Sequence, residues 1–234
     1  DAYCPADFGA LRGCEARVWS AFNILSHGWF TFEETKGNLV TKDAYSYVDY
    51  AMGHNPDNRM PLWIKPAKKV TVKNVADVMR DHYEGTPMDM TTDIGAGGNA
   101  LPYRWRPMDF EYEGKKYTNE RAIATQQTGF WFVGQARGNY PDVIGGILWF
   151  GTDDAATSYV TPIYSNTEKV PECFRQGNGN LLSYSATSSF WINNRISNAC
   201  YRMYNIMAPY VRERIDKFEN EQMEKVHHND VKAL

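Results

Sequence analysis

The chain has 234 residues, of which 25 are basic and 28 are acidic, and its formal net charge at pH 7 is −3. This balance gives no electrostatic signature of nucleic-acid binding, and no apolar run reaches the ~18 consecutive residues that a membrane-spanning helix needs. Hydrophobic residues make up 43% of the chain and aromatic residues 14%. This is ample apolar material for the core of one sheet-based domain of this length.

Two amphipathic helices are predicted in the N-terminal part of the chain. The first covers about residues 7–26, where apolar side chains recur at helical spacing. The second covers about residues 71–84, with Thr71 as its N-cap and with Gly85 and Pro87 as stop signals. Between them the pattern predicts a short extended piece at residues 29–32 and a short Tyr-rich helix at residues 41–53.

The strands are predicted between about residues 109 and 164. The runs Ala122–Val133 and Val143–Phe150 are rich in β-branched and aromatic residues and are bounded by Gly, Pro, Asn and Asp, as is typical of neighbouring antiparallel strands. A hairpin around Glu113 and Gly114 is predicted before them, and a further strand is predicted at Ser158–Tyr164. The fold class expected from these elements is α+β.

The chain closes with a predicted helix over about residues 189–227. Pro209 is expected to kink this helix or to divide it in two, because proline lacks the N–H of the helical hydrogen bond. The second half of the segment is mostly charged and is expected to face solvent.

Motifs for metals and cofactors are weak in this sequence. The cysteines, Cys4, Cys14, Cys173 and Cys200, form no C-x-x-C pair, and the histidines show no H-E-x-x-H or comparable ligand spacing. We therefore predict no metal site. The Gly95–Ala100 run fits G-x-G-x-x-A, but no strand precedes it and Leu101-Pro102 follows it, so we interpret it as a glycine-rich turn near a substrate cleft.

Two features offer candidate substrate contacts, each with a structural alternative. Asp153 and Asp154 follow a predicted strand, where a carboxylate could meet a substrate amine; alternatively they cap a turn by accepting hydrogen bonds from backbone amides. Trp105 and Trp149 could form a stacking platform for a sugar, although aromatic residues at this density are more often part of a core.

Several long strings resemble the C-terminal part of the dipeptidase A family of N-terminal-nucleophile (Ntn) cysteine peptidases, which are related to penicillin V acylase and bile salt hydrolase. The resemblance runs from Asp1 to about Glu221. The strings that carry it are, in order, DAYCPADFGALRGCEARVW, VMRDHYEGTPMD, ATQQTGFWFVGQAR, GGILWFGTDDAATS and SFWINNRISNACYRMY.

This resemblance implies an αββα sandwich, of which residues 1–234 would be the C-terminal portion of a single domain. It implies hydrolysis of dipeptides or short peptides, without a cofactor, by a cysteine exposed at the amino terminus whose own α-amino group is the general base. The strings match parts of the family sequences that lie well after that cysteine. The expected partners are therefore the N-terminal portion of the same enzyme and a dipeptide substrate, with homo-oligomerisation also possible, and this chain is expected to be inactive alone.

The resemblance also implies an arginine near the thiol and the oxyanion, contributed by a later strand. Arg121, at the start of the predicted strand, is the candidate, and Arg137 is the reserve; a strand-end surface arginine is the alternative interpretation of Arg121. From their position and chemistry alone, and not from the resemblance, Asp153 and Asp154 could hold the substrate ammonium group. A non-catalytic peptide- or glycan-binding module and an acylase acting on a non-peptide amide are the competing functions. The sequence leaves the compartment open.

Overall fold

The computed structural model describes residues 6–104, 109–119 and 121–233. Helices and small sheets are both present, which confirms the α+β class. The chain forms two compact units: residues 1–96 with 102–123 (unit 1), and residues 97–101 with 124–234 (unit 2). Whether residues 1–234 act as one domain or part of one stays a prediction.

Unit 1 opens with the predicted helical segment, which the structure resolves into three pieces. These are α1 (Phe8–Ala10), a π-helical turn (Leu11–Glu15) and α2 (Ala16–Ser26). Asp7 caps the start, because its Oδ1 accepts a hydrogen bond from the Ala10 N–H at 2.8 Å. His27 and Gly28, both with positive φ, end the helix as a left-handed turn does.

A β-hairpin follows where the sequence predicted only a short extended piece and a helix. Strands β1 (Trp29–Thr35) and β2 (Asn38–Asp43) pair antiparallel, and the chain becomes helical only afterwards, in a 3-10 turn (Ala44–Tyr47) and α3 (Val48–Ala51). The prediction for residues 41–53 was therefore wrong at its start. Gly37, with a φ of 81°, makes the tight turn between the strands.

The second predicted helix is shorter than expected. Helix α4 covers Val72–Met79, and its capping box between Thr71 and Asn74 confirms the predicted N-cap. Its end was predicted wrongly: the helix stops at Met79, not at Gly85, because the backbone already leaves the helical region at Arg80, with a φ of −101° and a ψ of 1°.

The remaining elements of unit 1 are a glycine-rich turn and a hairpin. The turn is a 3-10 segment (Ile94–Asn99) that runs into unit 2, with Gly97 outside the helical region, in agreement with the predicted turn. Strands β3 (Asp109–Tyr112) and β4 (Lys115–Thr118) form the predicted hairpin. Apolar side chains from α2, β1, β2 and the following loops build the core, including Trp19, Phe30, Tyr47, Tyr83, Met88, Met90 and Ala122.

Unit 2 is organised around a three-stranded antiparallel sheet of order β5-β6-β7. Its strands are β5 (Phe130–Ala136), β6 (Gly146–Thr152) and β7 (Thr161–Tyr164), with a short α5 (Asp142–Gly145) before β6. The pairing of two central strands was predicted correctly. The start of the first was wrong: residues 121–129 are not a strand, because Thr125 and Thr128 bond to each other locally.

Two helices close unit 2, α6 (Ser189–Cys200) and α7 (Tyr204–Ala233), after a 3-10 turn (Glu172–Phe174). The predicted division exists but lies at residues 201–203, not at Pro209, which is inside α7. Pro209 has no N–H to bond to the Asn205 carbonyl, and the helix continues through it. Within the described residues, no helix is long and apolar enough to cross a membrane.

The sheets are small compared with those that the family resemblance implied. The described residues form sheets of two, two and three strands. The two stacked sheets of an αββα sandwich therefore stay a prediction.

Candidate active-site residues

Arg121 lies near the end of unit 1 in an irregular segment, with its side chain exposed. The backbone at this point is held from inside the unit: the Tyr83 hydroxyl donates a hydrogen bond to the Arg121 carbonyl at 2.6 Å. The next residue, Ala122, is buried in the same core as Tyr83. The structure thus gives Arg121 a fixed backbone and a side chain that is open to solvent.

A buried histidine, His82, precedes Tyr83 and is held at both nitrogens of its ring. His82 Nδ1 lies 2.9 Å from Glu84 Oε1, and His82 Nε2 lies 2.9 Å from the Tyr103 hydroxyl. Glu84 Oε2 also accepts a hydrogen bond from the His82 backbone N–H at 2.7 Å. We call His82, Glu84 and Tyr103 the His82 network. The imidazole is part of the core of unit 1, since the exposed fraction of His82 is 1%.

Asp81 lies beside this network, and the pKa of its carboxyl group is shifted toward neutral pH. Burial raises the pKa of Asp81 to about 6, although the Ser20 hydroxyl stabilises the charged form by donating a hydrogen bond at 2.6 Å. The nearby Glu84 carboxylate raises this pKa further, whereas His82 lowers it. A carboxyl group in this position changes its charge between about pH 5 and pH 7.

Asp153 is buried in unit 2, with an exposed fraction of 2%. Its Oδ2 accepts a hydrogen bond from the Ser197 hydroxyl at 2.6 Å, and its Oδ1 accepts one from the Asn194 side chain at 3.1 Å. Its backbone has a φ of 69°, and its N–H donates to the Gly129 carbonyl at 2.9 Å. Asp153 therefore joins the end of β6 to α6.

Asp154 is also fully buried and satisfied by neighbouring donors. Its Oδ1 accepts from the Ala156 N–H at 3.0 Å, and its Oδ2 accepts from the Tyr201 hydroxyl at 3.0 Å. Burial, followed by the charge of Asp154, raises the pKa of the Tyr201 phenol above its ordinary value, so Tyr201 remains a donor. The same two causes raise the pKa of the Cys200 thiol. The contact with Ala156 is the turn-capping geometry that the sequence offered as the alternative to substrate binding.

The sheet of unit 2 has one buried face and one exposed face. Trp149 belongs to the buried face, and its indole N–H donates to Gln135 Oε1 at 3.0 Å. On the opposite face Phe130 and Phe132 are 62% and 52% exposed, and Phe130 stacks on Phe150. We call the outward side chains of Phe130, Phe132, Leu148 and Phe150 the outer sheet face. The stacking role proposed for Trp149 stays a prediction, and Trp105 lies outside the described residues.

Arg137 forms an internal clamp in unit 2. Its guanidinium bonds to both carboxylate oxygens of Asp230 on α7 and to the Ile144 carbonyl, and it lies 4.4 Å from the centre of the Tyr140 ring. Burial acts to lower the pKa of Arg137, but the hydrogen bond and the charge of Asp230 outweigh it and raise the pKa. In this arrangement Arg137 ties the β5–β6 connection to the end of α7.

The described cysteines do not form disulfides: Cys14 is exposed, Cys173 is partly buried and Cys200 is buried. Cys4 lies outside the described residues. Over residues 6–104, 109–119 and 121–233, no group of three or more His, Cys, Asp or Glu side chains is placed to hold a metal ion.

The predicted site residues are divided between the two units. Asp153, Asp154, Trp149 and Arg137 lie in unit 2, and Arg121 lies in unit 1. The sequence analysis missed Tyr83 and the His82 network. The only local signal was the turn-forming Gly85 and Thr86 after His82-Tyr83-Glu84, because Tyr103 and Arg121 are far away in the sequence.

Comparison with known proteins shows to which class of enzymes the chain is related. The chain matches the profile of Peptidase family C69 over residues 1–217, and it therefore belongs to that family of peptidases. A probable dipeptidase B from Lactococcus lactis is 24% identical over 140 residues, which cover 59% of this chain and 25% of that protein. A probable dipeptidase from Latilactobacillus sakei is 25% identical over 134 residues, which cover 57% of this chain and 24% of that protein. The aligned part of the chain thus spans about a quarter of the length of these relatives.

Proposed function

We propose that this chain is the C-terminal portion of an Ntn cysteine dipeptidase that hydrolyses dipeptides or short peptides. The observation that carries the proposal is membership of Peptidase family C69 over nearly the whole chain. The relatives named as probable dipeptidases support the choice of substrate. Their greater length supports a nucleophile on a segment other than residues 1–234.

The proposed reaction proceeds in two steps. The cysteine sulfur attacks the peptide carbonyl while the α-amino group takes the thiol proton, and the resulting tetrahedral oxyanion collapses to a thioester as the protonated amine leaves. Water then attacks the thioester, the carboxylic acid is released and the thiol is restored. Neither step requires an oxidant, a reductant or a metal ion.

Arg121 is the residue of this chain that we assign to the oxyanion. Its guanidinium carries a permanent positive charge, and a charge aimed at the developing oxyanion lowers the barrier more than it favours substrate binding. The exposed side chain on a fixed backbone supports this assignment. Asp153 and Asp154 remain candidates for the substrate ammonium group, which would have to compete with Ser197, Asn194 and Tyr201 for their carboxylates.

The outer sheet face is the surface that we assign to the nucleophile-bearing portion of the enzyme. Phe130, Phe132 and Leu148 are exposed apolar side chains on adjacent strands. Among the described strands, β5 is at the edge of its sheet, and its sequence FWFVGQA contains none of the charged residues that usually protect an edge. An apolar face beside an unprotected edge is suited to packing against further strands of the same domain.

The test combines composition and activity. Intact-mass analysis and amino-terminal sequencing of the purified protein, before and after denaturation, should reveal a segment that starts with cysteine. The same sample should hydrolyse a panel of dipeptides faster than a matched panel of acyl amides. Alkylation with iodoacetamide should abolish the activity and label that amino-terminal cysteine.

The competing functions give different results in the same experiment. Faster hydrolysis of acyl amides would favour an acylase. A single species of 26.8 kDa without hydrolysis, but with saturable peptide or glycan binding, would favour a binding module and contradict the dipeptidase.

A further inference from the structure

Tyr83 has a backbone conformation that bulky residues rarely adopt. Its φ of 67° lies in the left-handed region, which is strained for a residue with a side chain of this size. Such conformations persist only where the surroundings over-determine them, and they are concentrated at functional sites. The strained backbone of Tyr83 therefore needs a physical cause and suggests a functional role.

The cause is the set of contacts on either side of Tyr83. The imidazole of His82 is held between Glu84 and Tyr103, with 2.9 Å to each, and the His82 carbonyl accepts from the Met90 N–H at 3.2 Å. On the other side, the Thr86 hydroxyl donates to the Tyr83 carbonyl at 2.7 Å. These contacts leave the Tyr83 ring a single buried position in the core of unit 1.

The fixed position of the Tyr83 ring in turn fixes the backbone of Arg121. The Tyr83 hydroxyl donates to the Arg121 carbonyl at 2.6 Å, across 38 residues of sequence. Burial of Ala122 fixes the following peptide. A catalytic side chain is effective only when its geometry is held to within a fraction of an ångström, and neighbouring hydrogen bonds commonly provide that precision.

We propose that Tyr83 is a positioning residue of the peptidase, which fixes the backbone of Arg121 and thereby the point from which its guanidinium reaches the oxyanion. This inference rests on the proposed function, in which Arg121 stabilises the oxyanion. The His82 network holds the Tyr83 hydroxyl in place and so belongs to the same device. Tyr83 itself is buried and acts through Arg121.

The test is a double-mutant cycle in the complete peptidase, including its nucleophile-bearing portion. Tyr83→Phe removes only the hydroxyl and should lower kcat about tenfold with KM changed less than about twofold, since only the transition state is affected. In an Arg121→Gln background, Tyr83→Phe should change kcat by less than about twofold, because the group that it positions is gone. Tyr103→Phe should reproduce this coupling with a smaller effect.

Tyr184→Phe is the matched control. It removes a hydroxyl that accepts a hydrogen bond from Arg195 at 3.0 Å on the surface of unit 2, and it should leave kcat unchanged. A wild-type kcat in Tyr83→Phe, or equal losses with and without Arg121, would overturn the proposal. If Tyr83→Phe is too unstable to assay, Tyr103→Phe decides by the same criterion.

Failure of the proposed function is distinguishable from failure of this inference. The cycle can be measured on whichever amide the enzyme cleaves, so a non-peptide substrate would replace the dipeptide without removing the coupling. Full activity of Arg121→Gln would instead overturn both the role of Arg121 and the positioning role of Tyr83.

Discussion

The charged side chains of Arg121 and of the Asp153–Asp154 turn have opposite environments. Arg121 has its carbonyl fixed by Tyr83 while its side chain faces solvent. Asp153 and Asp154 have buried carboxylates that accept hydrogen bonds from Ser197, Asn194 and Tyr201. A charge that is free to meet a substrate suits chemistry, whereas a charge already bonded inside the protein suits architecture. The comparison predicts that mutations at the two places affect different quantities.

The largest expected effect concerns Arg137, which resembles the buried aspartates and not Arg121. Arg137→Met would leave the buried carboxylate of Asp230 without its cation, and removal of one partner of such a pair costs about 4 kcal/mol. Urea denaturation should show this loss in the free energy of unfolding. Arg214→Met, at an exposed arginine, is the control and should change stability by less than about 0.5 kcal/mol. A fully stable but inactive Arg137→Met would make Arg137 the catalytic arginine and contradict the comparison.

Arg121→Gln should affect activity without affecting stability. Removal of a group that stabilises the oxyanion lowers kcat about 100-fold, which corresponds to about 2.7 kcal/mol. The melting temperature should stay within about 2 °C of the wild type, because changes at exposed side chains are usually small. Steady-state kinetics and calorimetry on the same samples check both statements. An equal loss of stability would place Arg121 with the structural residues.

Asp154→Ala should have the reverse effect. It removes the acceptor for the Tyr201 hydroxyl and for the Ala156 N–H inside unit 2, and unsatisfied buried donors cost about 2 kcal/mol in total. Thermal unfolding should reveal the loss, and Glu168→Ala, at an exposed carboxylate, should not. If Asp154→Ala kept wild-type stability but raised the KM for dipeptides with a free amino group, the substrate role of Asp154 would be supported instead.

The sequence predicted the elements that depend on local signals. Thr71 caps a helix through its neighbour Asn74, and the alternating residues of β5 and β6 pair as expected. Both patterns are complete within a few residues, so no distant contact was needed to recognise them.

The elements that were predicted wrongly depend on contacts with residues that are distant in the sequence. The predicted helix from Thr71 would have continued through His82 and Tyr83, but there the side chain of His82 contacts Tyr103 and that of Tyr83 contacts Arg121. These contacts bridge 21 and 38 residues, and no spacing rule anticipates them. Arg121 itself could be chosen from the sequence only by family resemblance, and the strand expected to carry it begins instead at Phe130.

The smallest expected effect tests the surroundings of Tyr83 through pH. Burial raises the pKa of Asp81 from 3.8 to about 6, so the folded protein binds a proton that the unfolded chain releases at lower pH. The stability contributed by this group is therefore fully present below about pH 4 and is lost as pH rises through 6. We expect the wild type to lose about 1 kcal/mol relative to Asp81→Asn between pH 4 and pH 7, a figure reduced because Asp81 is partly exposed to screening by solvent.

The measurement is urea denaturation of both proteins at several pH values, from which the difference in the free energy of unfolding is plotted against pH. Glu84 contributes to both curves and largely cancels: its pKa is lowered, because its contacts with His82 outweigh burial. A flat difference curve for Asp81→Asn would mean that Asp81 is solvated in the folded protein. The buried surroundings that hold Tyr83, and through it Arg121, would then be looser than the structure shows.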